Sequence, residues 1–195
     1  MTEWLLLAVA VLLIAANALF VAAEFSLVTA DRARVEREAE AGDRRSASVL
    51  SALQSLSTQL SGAQLGITVT SLVVGFIAEP SIAALLRGPL GLTGLSDGAA
   101  TVTAFTVAFV LATGAQMVFG ELVPKNWAIA EPMRVGRAVV GFQRGFTKIT
   151  KPLIHVLNGM ANAILRAVGI EPAEELASAR SPAELVSLTA RSAAR

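Results

Sequence analysis

The chain has 195 residues, of which 54% are hydrophobic and 16% are charged, and its mean hydropathy is +0.62. A soluble domain of this length is rarely so apolar, so the composition indicates a membrane protein or part of one. A net charge of +1 and an aromatic content of 5% argue against nucleic-acid binding. The absence of cysteine excludes disulfides and thiolate metal sites.

Three stretches are apolar and long enough to cross a bilayer. The first carries no charge between Glu3 and Glu24, about 30 Å along a helix. The second and third are uncharged over 60–78 and 99–119. The first basic residue, Arg32, follows the first stretch, which favours an uncleaved anchor over a signal peptide. We therefore predict an all-α protein with transmembrane helices at about 4–29, 60–79 and 99–122.

Basic residues set the predicted orientation. Five arginines separate the first and second stretches, and six basic residues lie between 125 and 151. The connection between the second and third stretches holds only Arg87. This asymmetry places the N-terminus outside and the C-terminus in the cytoplasm of a multi-pass inner-membrane protein. The connection itself, residues 79–98, is rich in Gly and Pro with a short apolar middle, and predicts a turn-containing loop with at most one interfacial helical turn.

Amphipathic helices are predicted at about 31–58, divided at Gly42, and at about 134–168. The second has an apolar stripe and a basic face, as expected for a helix that lies on the inner surface and contacts anionic lipid. The lone His155 on it is assigned no role. Residues 171–195 are polar and Ala-rich, and a soluble helix is predicted to start at Ser181.

The segment VFGELVPK, residues 118–125, ends the third apolar stretch. Pro124 has no N–H to offer the Gly120 carbonyl, so that oxygen is freed from helix bonding. Beside it, Glu121 supplies a carboxylate. Asn17, Thr68, Ser71 and Gln116 add further polar groups in or near the inner half of the bilayer. An all-oxygen set of this kind suits a hard cation such as magnesium, calcium, manganese or sodium.

A plainer interpretation stays open. Ser and Thr in membrane helices often bond their own backbone, and Glu121 could be solvated or paired with Lys125. Small residues on one side of the second stretch favour close helix contact, from which we predict a homodimer. They are Gly62, Ala63, Gly66, Thr70 and Ser71.

Three blocks of the sequence, NALFVAAEFSLVTADR, QLGITVTSLVVGFIAEP and VFGELVPKNWAIAEP, resemble the transmembrane domain of the CorC/CNNM family. This hemolysin-like family exports magnesium and cobalt. The resemblance covers about residues 4–170, and FGELVPK is its most specific part. It implies a three-span homodimeric domain, residues 1–170, with an inward-facing polar cavity that binds dehydrated Mg2+ and exchanges it for Na+.

The resemblance also assigns ligands. It places them on the Gly120 carbonyl, the Glu121 carboxylate and the hydroxyl of Thr68 or Ser71. In the first span the family often has serines, whereas this chain has Asn17, Val21 and Ala23, of which only Asn17 keeps a ligand oxygen. Glu24 matches a family acid whose role the sequence leaves open.

The predicted function is export of a divalent cation, with Mg2+ as the first choice and sodium coupling. The alternative is a membrane sensor or regulatory subunit that binds the ion without carrying it. No Ser/His/Asp set, HExxH motif or phosphate loop occurs, so an enzyme is not expected. Family members continue into paired CBS domains, and residues 171–195 resemble the start of the linker to them. Nucleotide binding is therefore not expected of these 195 residues.

Overall fold

The computed structural model describes residues 2–170, which form helices joined by short turns. The helices are α1 (Thr2–Thr29), α2 (Arg32–Glu40), α3 (Arg44–Leu53), α4 (Leu56–Gly91), α5 (Asp97–Ala115), a π-helical segment (Gln116–Leu122), α6 (Val123–Ala130) and α7 (Pro132–Ala167). In the described range, three helical stretches are long and apolar enough to cross a membrane: α1, α4 and the run 97–130. The predicted all-α fold with three such helices is confirmed. The linker predicted over 171–195, with its helix start at Ser181, lies outside the described residues.

The three long helices form an up-down-up bundle. Along α1, Phe20 packs against Gly66 of α4, and Ala10 packs further along α4 with Val74 and Ala78, so the two helices are antiparallel. Helices α4 and α5 are also antiparallel, because Val74 packs in one cluster with Ala112 and the later Ala83 packs with the earlier Ala104. We call the end that carries α2, α3 and the start of α7 the basic end, and the end that carries the α4–α5 turn the loop end.

Small residues on α4 allow the close packing within this bundle. A Cβ at Gly66 would lie 2.6 Å from the Phe20 ring, and one at Gly62 would overlap Thr147 of α7. The stripe of small residues therefore faces α1 and α7 of the same chain. Because the chain's own helices occupy it, the stripe gives no support for a contact between subunits, and the homodimer stays a prediction.

Helix α4 is much longer than predicted. Residues 79–91, expected to be a loop, continue the helix although Pro80 and Pro89 lie inside it. A proline in a helix interior costs about 3 kcal/mol. Tertiary packing offsets this cost here, since Ile82, Leu86 and Leu90 pack around the buried Ala83, Ala104 and Ala108. The loop prediction was wrong because composition does not reveal such contacts.

Apolar and ionic contacts hold the helices at the basic end together. Val35 of α2 and Val49 of α3 are buried with Leu27 of α1 and Val140 of α7. In addition, Arg137 of α7 lies 3.0 Å from a carboxylate oxygen of Asp43 and 3.3 Å from a carboxylate oxygen of Glu38. The turn between α2 and α3 contains Gly42 at φ 94°, a conformation that glycine adopts without strain.

Helix α7 is fastened to the start of α4 by a buried amide. The Gln143 Nε2 group donates to the Gln59 carbonyl at 2.8 Å and to the Thr147 hydroxyl at 3.1 Å. Phe146 and Phe142 of α7 contact the Phe20 ring, with centroids 4.6 and 4.8 Å away. These contacts fix α7 against the half of the bundle in which the polar residues lie.

Candidate cation site

The VFGELVPK segment lies in a distorted part of the third long helix. Residues Gln116–Leu122 form a π-helix, and the Val123 N–H bonds the Val118 carbonyl, five residues earlier. Pro124 then occupies the first turn of α6, where a missing N–H costs little. The span predicted at about 99–122 is thus followed without a break by α6, and the helical run continues to Ala130 because the π-helical turn accommodates the proline.

The Gly120 carbonyl finds its partner on another helix. The Asn17 Nδ2 group on α1 donates to this oxygen at 2.9 Å. Asn17 is fully buried and Gly120 is buried as well. A main-chain oxygen that is bonded by a side chain from 103 residues away can be released by a movement of that side chain. The hydrogen bond therefore marks a place where a cation could replace an N–H group as the partner of this oxygen.

Hydroxyl groups of α4 surround the other atom of the same amide. Asn17 Oδ1 accepts hydrogen bonds from Thr70 at 2.7 Å and from Ser71 at 3.1 Å. The Gln116 Nε2 group donates to the Ser71 hydroxyl at 3.0 Å. One connected polar cluster thus links α1, α4 and the π-helix. We call Asn17, Thr70, Ser71, Gln116 and the Gly120 carbonyl the polar cluster.

One feature of the cluster points to a ligand. The Gln116 Oε1 atom is buried and has no hydrogen-bond partner among the described residues. Gly120 leaves room for this amide, because a Cβ there would lie 3.0 to 3.1 Å from its atoms. A buried amide oxygen without a partner is costly, and a cation or a water molecule would satisfy it.

Glu121 is the anionic group nearest the cluster in sequence. Its side chain is exposed and has neither a hydrogen bond nor an ion pair within residues 2–170. Lys125, the alternative partner considered from the sequence, lies instead over the Phe25 ring at 4.9 Å from the centroid. Glu121 is thus an unpaired carboxylate one residue away from the Gly120 carbonyl.

Thr68 and Glu24 lie apart from the polar cluster. The Thr68 hydroxyl donates to the Gln64 carbonyl of its own helix at 2.8 Å. Both residues line a cavity of about 560 Å³ that opens between α1, α4 and α7 on the side of the cluster nearer the basic end. Of the two hydroxyls considered for the second span, the structure brings Ser71 to the cluster and leaves Thr68 in this cavity, which we call the basic-end cavity.

The cluster contains one residue that we did not assign to the site from the sequence. Thr70 is buried and makes the shortest hydrogen bond to Asn17. A signal was present, because Gly62, Gly66 and Thr70 recur every four residues and so share one helix face. No group of three or more His, Cys, Asp or Glu side chains that could hold a metal occurs in the described range. A cation here would rely on neutral oxygens and at most one or two carboxylates.

Comparison with known proteins shows the family to which the chain belongs. The family model "Cyclin M transmembrane N-terminal domain", CNNM, matches residues 8–195. The chain belongs to the CNNM family. The CNNM domain is 50% identical over 183 residues to the UPF0053 protein MT1890 of Mycobacterium tuberculosis, covering 94% of this chain and 40% of that protein.

Other relatives of this CNNM domain show the same coverage. It is 42% identical over 183 residues to the uncharacterized protein Rv1841c of Mycobacterium tuberculosis. The matched region covers 94% of this chain and 52% of that protein. It is 35% identical over 180 residues to the UPF0053 protein YhdT of Bacillus subtilis, which covers 92% of this chain and 39% of that protein. The chain thus spans about two fifths to one half of the length of these relatives. Together with its three apolar helices, the match makes it a multi-pass membrane protein of the CNNM family.

Proposed function

We propose that this CNNM domain exports a divalent cation, Mg2+, across the cell membrane and that inward movement of Na+ drives the export. The observation that carries the proposal is the bond between Asn17 and the Gly120 carbonyl. This bond holds the Gly120 carbonyl oxygen close to the buried oxygens of Asn17 and Thr70, where a cation would find several ligands. Carbonyl, amide, hydroxyl and carboxylate oxygens are the ligands that hard cations prefer.

A rotation of the Asn17 side-chain amide would change the hydrogen bonding of the polar cluster. If it turns by 180°, Nδ2 faces Thr70 and Oδ1 faces the Gly120 carbonyl. Thr70 tolerates the change, because its hydroxyl then accepts from Nδ2 and donates to the Gly66 carbonyl, which it already contacts at 2.8 Å. Two acceptor oxygens would then face each other, an arrangement that a cation between them stabilises. We therefore infer that ion binding and the turn of this amide are coupled.

The proposed entry route is the basic-end cavity. It contains the Glu24 carboxylate together with the polar groups of Ser61, Gln64, Thr68 and Asn158. The arginines near this end favour a cytoplasmic location by the positive-inside rule. Under that orientation the cavity opens to the cytoplasm, and Glu24 attracts cations toward the cluster.

Flux through the purified protein tests this function. We expect proteoliposomes that contain this chain alone to move Mg2+, and an opposed Na+ gradient to accelerate the movement. Replacement of Glu121 by Gln should abolish the flux, whereas Thr106→Val on the exposed side of α5 should leave it unchanged. If Mg2+ binds to the protein but no flux is measured with or without Na+, the sensor or regulatory alternative is supported instead.

A further inference from the structure

A second, smaller cavity lies on the other side of the polar cluster. It has a volume of about 140 Å³ and lies between α4 and α5. Ser71 and Gln116 of the cluster form one part of its wall. Glu79 lies eight residues further along α4, about 12 Å toward the loop end. We call this the loop-end cavity.

Glu79 is the one charged residue among those that line the loop-end cavity. Glu79 is half-buried, and it has no hydrogen bond or ion pair in the part of the chain that the structure describes. The cavity wall contains no Lys, Arg or His. Arg87, the nearest basic residue along α4, is held over the Phe105 ring at 5.2 Å from the centroid. A carboxylate in an apolar setting without a positive partner attracts cations.

Residues with neutral oxygens line the part of the cavity between Glu79 and the polar cluster. The hydroxyls of Thr113 and Ser71 and the amide of Gln116 all line the cavity. The wall thus offers a carboxylate, hydroxyls and an amide, which is a donor set for a hard cation.

The two cavities border different parts of α4. Residues 60–68 border the basic-end cavity, and residues 71–79 border the loop-end cavity. The hydrogen bonds that join Asn17, Ser71 and Gln116 lie between them and form the barrier. Because Ser71 and Gln116 belong to both the barrier and the loop-end wall, a change in their bonding would open the cluster toward Glu79.

We propose that the loop-end cavity is a second cation site, centred on Glu79, which receives the divalent ion after it leaves the polar cluster. This inference rests on the proposed function for the direction of travel. The volume has room for several water molecules, each of which takes about 30 Å³ in the liquid. The ion there would keep part of its hydration shell, as Mg2+ prefers, and would bind loosely enough to leave.

Cysteine accessibility tests this site directly, since the chain contains no native cysteine. A Thr113→Cys variant in right-side-out vesicles should react with a membrane-impermeant thiol reagent added outside. External Mg2+ should slow the reaction roughly tenfold, the effect expected of an ion that occupies the wall beside the thiol. N-methylglucamine chloride at equal ionic strength should not slow it. Combination with Glu79→Gln should remove the protection.

Matched cysteines define the controls. Thr106→Cys, two turns away on the exposed side of α5, should not react because it lines neither cavity. Ser61→Cys in the basic-end cavity should react only when the reagent is supplied from the opposite side. If Thr113→Cys does not react from outside, or if Mg2+ gives equal protection with and without Glu79, the second site is overturned.

Flux measurements separate failure of this inference from failure of the proposed function. We expect Glu79→Gln to lower Mg2+ export roughly tenfold, while Mg2+-dependent thermal stabilisation by the polar cluster is retained. Asp97→Asn, which removes an acidic charge at the start of α5, should not affect export. If the wild-type protein exports Mg2+ and Glu79→Gln exports it equally well, the second site is wrong and the proposed function stands. A wild-type protein without flux contradicts the proposed function, and the cysteine result still decides whether the cavity binds the ion.

Discussion

Asn17 on α1 donates a 2.9 Å hydrogen bond to the main-chain carbonyl of Gly120 in the π-helical turn. This bond explains how a proline four residues after a glycine is accepted in a membrane helix. The carbonyl that Pro124 cannot bond is bonded instead by a side chain from a neighbouring helix, as the apolar environment requires. The same bond holds the oxygen where a cation can compete for it.

Asn17→Ala should therefore affect stability and ion binding together. The Gly120 carbonyl and the Thr70 hydroxyl would lose a buried partner, at a cost of about 1–3 kcal/mol. The added stability in Mg2+ should also disappear, because an amide ligand is lost. Thermal unfolding in detergent, with and without Mg2+, measures both effects. A variant that is destabilised but keeps the full Mg2+ response would assign Asn17 a structural role only.

Pro124→Ala should weaken Mg2+ binding without destabilising the fold. Alanine restores an N–H that can compete with Asn17 and with the ion for the Gly120 carbonyl, and alanine favours the helix. Melting temperature should be unchanged or higher, and more Mg2+ should be needed to raise it further. Pro152→Ala, inside α7, serves as the matched proline control and should leave the Mg2+ response unchanged.

The close approach of α1 and α4 depends on Gly66. An added Cβ would lie 2.6 Å from the Phe20 ring, which is itself held between Phe142 and Phe146. Gly66→Ala should destabilise the protein by about 1–3 kcal/mol, the usual cost of overpacking. Gly75→Ala is the control on the same helix, where a Cβ would meet nothing within 4 Å. Equal melting temperatures for the two variants would contradict the packing described here.

The ionic contacts at the basic end predict a loss of stability in acid. Hydrogen bonds from Arg34 and then Ser46 hold the pKa of Glu38 below its ordinary value of 4.5. Hydrogen bonds from Ser46 and then the Arg45 N–H hold the pKa of Asp43 below its ordinary 3.8. A lowered pKa contributes stability that is present above the ordinary value and is lost as the pH falls through the lowered one.

We therefore expect the melting temperature to fall as the pH drops below about 4.5. Arg137 interacts with both carboxylates, so Arg137→Gln should reduce this dependence. Arg44→Gln removes an exposed arginine at the start of α3 and should leave the pH profile as in the wild type. Thermal scans from about pH 6 to about pH 3 make the comparison. Parallel profiles for the wild type and Arg137→Gln would show that the contact does not stabilise the docked helices.

The sequence predicted the helical spans well because each is a long apolar run, and length and hydropathy decide membrane insertion. It also led to Gly120, through the chemistry of Pro124, and to Asn17, through the cost of a buried amide. The partner of the Gly120 carbonyl could not be predicted, since Asn17 lies 103 positions away in the sequence. The π-helical turn was not predicted either, because the proline alone does not reveal how the helix accommodates it. The extension of α4 past Pro80 was missed for the same reason, because contacts with α5 compensate for the proline.

Thr68, which we assigned to the site from the sequence, and Thr70, which we did not, show a different limit. Depth along the helix makes the two nearly equivalent, but they lie on different faces. Thr70 shares the face of Gly62 and Gly66 and meets Asn17, whereas Thr68 bonds its own backbone. Helical periodicity alone could have made this distinction. The presence of Glu79 in one cavity with Ser71 and Gln116 required the antiparallel packing of α4 and α5, which the sequence did not specify.

Titration of Mg2+ against melting temperature, for the wild type, Glu121→Gln and Glu40→Gln, tests the central claim most directly. Glu40 is an exposed acid at the end of α2 and controls for the loss of one charge at the basic end. Saturation at about 100 times the Kd adds roughly 2.7 kcal/mol to a protein that binds its ligand only when folded. We predict this stabilisation for the wild type and Glu40→Gln and its absence in Glu121→Gln. Equal Mg2+-induced shifts in all three proteins would contradict a cation site at Gly120 and Glu121.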